Sequence, residues 1–513
     1  MLGLFALALV GYCLTYCYRR LRRQRRHWRL SLENCQESKC IPARNLGNRP
    51  FFGVDELWRM YQAYDESRLM EYYNSDFKKS GYTIEQRCMG TSVIRTAEPA
   101  NVEAILSSRF ADWSIKPRRQ MTFNYLGEGI FNQDGIAWRQ TREILKPLFN
   151  QRIYLDLKLF DQHIANFFKL IPPGGGIIDL QPLFYMLTLD VSTEFLFGTS
   201  VSSLTSTAFD GSETFGSVFG FGRAFLQSKS PVKQLLRIIE GTKFQDACKR
   251  LHHCIDKLIH NELAVKLTFQ KPERSNLMQR LTDSFDDHDT IRGQVLNILL
   301  AGRDTTASLL SWIFFLLARH SRVLNKLRQE INSTCQQNPK LSHGVLRQMK
   351  YLQLVIKETL RLYPAVAANV RTSVSDTILP TGGGSDGSHP VWVPKDTTVM
   401  FNVYAMHRRT DLYGDDAEDF RPERWDEPRL MQADLMLRKW GYLPFNGGPR
   451  ICIGRDFAET EVAYTIVRIL QKFSSIQVPE GVEVVKTGQE KQSLTLVMFS
   501  ADGCKMELGE KVL

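Results

Sequence analysis

Phe445-Asn446-Gly447-Gly448-Pro449-Arg450-Ile451-Cys452-Ile453-Gly454 is the stretch that decides the fold. A single cysteine stands in a loop with three glycines, a proline and an arginine. A thiolate that serves as a ligand must be deprotonated, reachable and steadied by backbone N–H groups, and glycine lets the main chain approach the sulfur. The five fixed positions of Phe-x-x-Gly-x-Arg-x-Cys-x-Gly would coincide by chance on the order of 10⁻⁴ times in a chain of this length. The competing reading is an inert cysteine buried in a turn.

Working outward, 513 residues can bury a large core, and length alone allows about three domains. The formal net charge of +11 comes largely from arginines between Arg19 and Arg29. So local an excess suits a membrane surface and argues against a nucleic-acid groove. The ten cysteines show no regular framework and no Cys-x-x-Cys pair, which suits a reducing compartment with free thiols. His252, His253 and Cys254 lack a second ligand pair at zinc-finger spacing and read as a solvated helix face.

Met1 to Tyr18 contains no charged side chain, and Arg19, Arg20, Arg22, Arg23, Arg25 and Arg26 follow at once. Roughly 18 residues at 1.5 Å rise span about 27 Å, enough for the thinner bilayer of the endoplasmic reticulum. The reading is a transmembrane anchor over 1–18, a basic stop-transfer patch and proline-containing linker over 19–50, and a body over 51–513. Positive charge after the span places that body in the cytosol, single-pass at the endoplasmic reticulum membrane. A cleaved signal peptide would want its charge before the apolar run.

From residue 51 to Arg361 the pattern is mostly helical, with strands expected at Tyr82–Gln86 and Thr91–Thr96. A glycine-rich turn at Gly382–Gly387 precedes strands around Val391–Val393 and Thr397–Val403. Helix resumes after Gly454, and strand around Leu494–Phe499. From Thr290 to Arg319 the chain is apolar on most faces, as in a helix buried inside a large protein. Ala301-Gly302-Arg303-Asp304-Thr305-Thr306 interrupts it with a glycine, two charges and two hydroxyls. The charges argue against a second membrane span. Glycine there allows close approach of a flat ligand, a threonine hydroxyl can bond back to the helix carbonyl, and an acid beside a hydroxyl makes a proton relay.

Two charged motifs complete the set. Glu358 and Arg361 lie at i and i+3 on one helix, and Phe420-Arg421-Pro422-Glu423-Arg424-Trp425 follows downstream. Together with Trp138-x-x-x-Arg142, Ala301–Thr306 and the cysteine loop, these motifs occur in an order that resembles the cytochrome P450 monooxygenases over nearly the whole chain. Within that family, the Ala301–Ala307 stretch, Leu126-Gly127-Glu128-Gly129-Ile130-Phe131 and the cysteine loop look most like the fungal microsomal n-alkane and fatty-acid hydroxylases. Ile453-Gly454-Arg455-Asp456 departs from the Leu-Gly-Gln-Gln more usual there. Ala301 stands where many animal ω-hydroxylases carry a haem-linked glutamate, so no such ester is expected.

The resemblance implies a mainly α fold with a smaller β region, and haem b on the Cys452 thiolate. It makes Trp138, Arg142, Arg371 and Arg450 donors to the haem propionates, packs Phe445 near the sulfur, and makes Asp304 and Thr305 the relay for oxygen cleavage. Glu358, Arg361 and Arg424 become a buried structural network. No flavin or nicotinamide motif is found, so electrons from NADPH must come through a separate NADPH-cytochrome P450 reductase. Lys350, Arg438, Lys439 and Arg455 are candidate contacts for its acidic face. The substrate is a hydrophobic small molecule, and nucleic acid is not a partner. Three functions stay open: hydroxylation of long aliphatic chains, tailoring oxidation in fungal secondary metabolism, and a haem protein without monooxygenation. The proton relay disfavours the last.

Overall fold

The computed structural model describes residues 40–45, 53–88, 91–149, 157–205, 231–268, 277–428 and 439–510. The expected anchor and the arginine patch lie outside the described residues. Among those described, no helix is long and apolar enough to cross a membrane.

The described chain forms two compact units. The first takes residues up to Pro117, Ala367–Ala417 and Gln432–Ile451. Its centre is a six-stranded sheet in the spatial order Arg44–Asn45, Thr83–Cys88, Thr91–Thr96, Thr398–Asn402, Ala368–Ser373 and Trp113–Ser114. The expected strands are present, and their β-branched and aromatic residues explain them: Ile84, Ile94, Val399 and Phe401 are buried. The Thr91–Thr96 strand runs antiparallel to Thr83–Cys88 and parallel to Thr398–Asn402. One correction concerns the stretch read as linker. Its residues Arg44 and Asn45 pair in parallel with Ile84 and Glu85, so they belong to the sheet, and Ile41 N–H donates to the Pro390 carbonyl at 2.9 Å. A second pair of strands, Thr377–Gly383 and His389–Val393, flanks the glycine-rich turn.

The second unit takes Arg118–Val366, Glu418–Met431 and Cys452–Leu513 and is mostly helical. Its axis is the helix His288–Arg319, whose first turn is capped by Asp287 accepting from Thr290 N–H at 2.9 Å. This long helix lies along Leu180–Phe197, where Thr188 donates its hydroxyl to the Arg303 carbonyl at 2.9 Å. At the other end Trp312 stacks on Tyr363 with centroids 4.0 Å apart. A small sheet orders Phe473–Gln477, Lys505–Glu510 and Gly175–Asp179, so a strand from early in this unit pairs with the last described residues. The single strand expected over Leu494–Phe499 is instead a hairpin, Gln492–Leu494 against Met498–Ser500, because the chain reverses at Thr495.

Candidate active site

The cysteine loop is shaped from its start. His407 Nε2 accepts from Leu443 N–H at 2.8 Å, and Tyr413 donates to the Gly441 carbonyl at 2.8 Å, fixing the approach to Phe445. Gly448 has φ 62° and a Cβ there would lie 1.8 Å from the Leu106 carbonyl oxygen, so only glycine fits. Asn446, at φ 63°, donates its side-chain amide to the Arg450 carbonyl at 3.3 Å and closes the turn. Gly447, packed against Trp440 and Leu443, and Gly448 thus seat the loop within the first unit. Phe445 and Arg450 are half-buried there. Arg371, in the same unit, is buried beside the Phe401 ring and donates to the Val370 carbonyl at 2.8 Å. Sequence reading missed His407, since a lone histidine carries no spacing signal.

Cys452 opens the last segment of the second unit. Of the cysteines whose side chains are described, it is the exposed one. Nearby protein still desolvates its sulfur and leaves the thiol above its ordinary value: the Gly454 N–H and the Arg142 and Arg455 guanidiniums offset only part of that rise, and Glu459 adds to it. Arg142 answers in kind. Its own burial lowers it and the Cys452 charge raises it, which brings the two residues into one electrostatic neighbourhood. Trp138 is buried one turn before Arg142, whose guanidinium lies 5.9 Å from the indole. The structure thus joins Trp138, Arg142 and Cys452.

Along the long helix every residue from Gly293 to Leu317 is buried except Ala301, Gly302 and Thr305. Ala301 and Thr305 are one turn apart on one face, and Thr305 donates its hydroxyl to the Ala301 carbonyl at 2.6 Å, as expected. Asp304 is buried and accepts from Arg303 at 2.8 Å. Arg303 in turn lies 4.9 Å from the Tyr185 ring. At Gly302 a Cβ would meet the Ser192 hydroxyl at 2.6 Å, so the glycine lets two helices pack closely.

The predicted network is present and fully buried. Glu358 accepts from Arg361 at 2.8 and 2.9 Å, from Arg424 at 2.7 Å, from the Arg421 N–H at 3.1 Å and from the Trp425 indole at 3.0 Å. Arg361 and Arg424 also share the Asp419 carbonyl. Two proposed reductase contacts sit in exposed ion pairs, Lys350 with Asp426 and Arg455 with Glu459, so their charge is locally balanced. Arg438 lies outside the described residues.

A reachable thiol bonded by one N–H, with the Arg142 charge in its neighbourhood, has the donor chemistry of a soft ligand to iron. Ala301 and Thr305, only partly buried on one face of an otherwise buried helix, leave that face available to a bound group. These residues fit a haem. The family model of cytochrome P450 matches residues 50–499. The chain belongs to the cytochrome P450 family. It is 38% identical to a cytochrome P450 of Arthroderma benhamiae, over 98% of this chain and 100% of that protein. It is 36% identical to the cytochrome P450 monooxygenase fsdH of Fusarium heterosporum, over 91% and 83%. Cytochrome P450 52E1 of Candida apicola is 38% identical over 88% and 89%. As a cytochrome P450 the chain is a monooxygenase that carries haem b on a cysteine thiolate.

Proposed function

We propose that this cytochrome P450 hydroxylates long aliphatic chains, with Cys452 as the thiolate ligand. The observation that carries the ligand assignment is the exposed Cys452 thiol, bonded by the Gly454 N–H at the end of the glycine-rich loop. Trp138, Arg142, Arg371 and Arg450 would hold the haem propionates, and Phe445 would shield the sulfur from water. When bound, the haem supplies oxygen activation, favoured by electron donation from the thiolate. The protein's part on the opposite helix is proton management. Thr305 Oγ1 holds a proton against the Ala301 carbonyl, and Asp304, released from Arg303, returns one to that hydroxyl from solvent.

Electrons come from a separate NADPH-dependent reductase, and residues 1–18 anchor the enzyme in the endoplasmic reticulum membrane with residues 51–513 in the cytosol. The aliphatic reading is supported by the resemblance of the Leu126–Phe131 and Ala301–Ala307 stretches to fungal n-alkane and fatty-acid hydroxylases. Ile453-Gly454-Arg455-Asp456 favours a second reading, tailoring oxidation of a secondary metabolite. Spectral titration with long-chain fatty acids decides between them. A saturable shift of the Soret band supports the first, and no shift with any chain length supports the second.

A further inference from the structure

The segment Leu126–Gln133 lies against the long helix with no space to spare: a Cβ at Gly293 would fall 1.9 Å from the Glu128 carbonyl oxygen. Two amide side chains, one turn apart on that helix, take up the segment's backbone. Gln294 Oε1 accepts from the Ile130 N–H at 3.0 Å, and Asn297 Oδ1 accepts from the Phe131 N–H at 2.9 Å. Asn297 Nδ2 donates to the carbonyls of Leu126 at 3.0 Å and Gly293 at 2.7 Å.

Gln294 also reaches the other way. Its Nε2 donates to Thr141 Oγ1 at 3.3 Å, while Thr141 donates to Gln133 Oε1 at 2.7 Å. Gln133, Thr141, Gln294 and Asn297 are all buried. Removing one partner would strand a buried polar group, so each bond holds the others in place. Thr141 lies on the helix Gly135–Phe149, directly before Arg142 and three residues after Trp138. With 100° of rotation per residue, the side of that helix turned to Gln294 fixes where Trp138 and Arg142 point.

We propose that Gln294 and Thr141 are positioning residues that set Arg142 against the haem, using the long helix as their reference. This rests on the assignment of Arg142 above. The same helix carries Asp304 seven residues, or two turns, beyond Asn297. One rigid element therefore registers both the relay and the cation beside the thiolate. A network that only filled the core would affect stability but would have no reason to act through Arg142.

The test is haem transfer from the full-length holoenzyme to excess apomyoglobin, with thermal midpoints measured on the same samples. Thr141→Val removes the bridging hydroxyl, Thr141→Ser keeps it, and Gln294→Met removes the amide at similar length. Thr141→Val and Gln294→Met are expected to lose haem about tenfold faster, as when an outer partner of a ligand is removed, with Thr141→Ser within about twofold of wild type. In an Arg142→Ala background Thr141→Val should add nothing. Thr122→Val, which deletes a buried hydroxyl bond from the helix Lys116–Leu126 to the turn residue Asn132, is the control expected to retain haem. Wild-type retention in Thr141→Val while Arg142→Ala loses haem overturns the proposal alone. Full additivity with Arg142→Ala, or equal loss from Thr122→Val, does the same. Wild-type retention in Arg142→Ala overturns the assignment of Arg142 itself.

Discussion

Arg303 and Asp304, neighbours in the chain, are joined side chain to side chain: Nη1 donates to Oδ1 across 2.8 Å, and both groups are buried in the long helix. Removing the cation leaves a buried carboxylate uncompensated. Arg303→Met is expected to lower unfolding stability by about 3–5 kcal/mol, and the double variant with Asp304→Asn to recover part of it. Denaturant unfolding of the single and double variants measures this, and a loss below about 1 kcal/mol for Arg303→Met would show that the pair is dispensable.

Thr305 tests the relay. Thr305→Ala removes the hydroxyl while leaving an ordinary helix residue, so the fold should stay intact. The expected outcome is uncoupling, with more peroxide formed per product at similar NADPH consumption. Unchanged coupling would count against a proton role for this hydroxyl.

Cys452→Ser tests the ligand. The reduced wild-type protein with carbon monoxide should show the red-shifted Soret band of thiolate ligation, and the variant should lose it. An unshifted band in folded wild type would refute the assignment.

Burial alone would raise the Glu358 carboxyl, yet Arg361 and Arg424 outweigh it and hold the group below its usual range. A folded-state value below the unfolded one contributes stability above the unfolded value, near 4.3, and loses it as pH falls through the folded value. Glu358→Gln should therefore cost about 3 kcal/mol at neutral pH, with the deficit shrinking in acid. Unfolding curves across that range give the answer.

Glu461 behaves in the opposite sense. It is buried on the helix Arg455–Lys472, neither carboxyl oxygen has a hydrogen-bond partner, and burial pushes it well above the usual range. Here the folded value exceeds the unfolded one, so a penalty accumulates as pH rises above about 4.3, at up to about 1.4 kcal/mol per pH unit until the folded value is reached. Glu461→Gln should raise the thermal midpoint at pH 7 and match wild type near pH 4. Parallel melting curves at both pH values would contradict this.

Much of this was legible from local patterns. The loop around Cys452, the long helix and the Glu358–Arg361–Arg424 set each carry their chemistry in short spacings. The Thr83–Cys88 and Thr91–Thr96 strands follow from β-branched runs. What escaped was long-range. Nothing near Gly302 announces Ser192, and nothing in Gln294 announces Thr141, because these contacts depend on how distant segments pack. Arg44 and Asn45 looked like linker because a two-residue strand has no period of its own.

The pairing of Gly175–Asp179 with Lys505–Glu510 bears on how the chain is made. Cys504 N–H donates to Asp179, 325 positions upstream. At ordinary rates of synthesis the earlier strand waits roughly 15 to 65 seconds for its partner to be translated. That sheet therefore closes only once Lys505–Glu510 has left the ribosome. A stop codon before Lys505 would release a chain whose β-edge at Gly175–Asp179 stays open to unwanted partners.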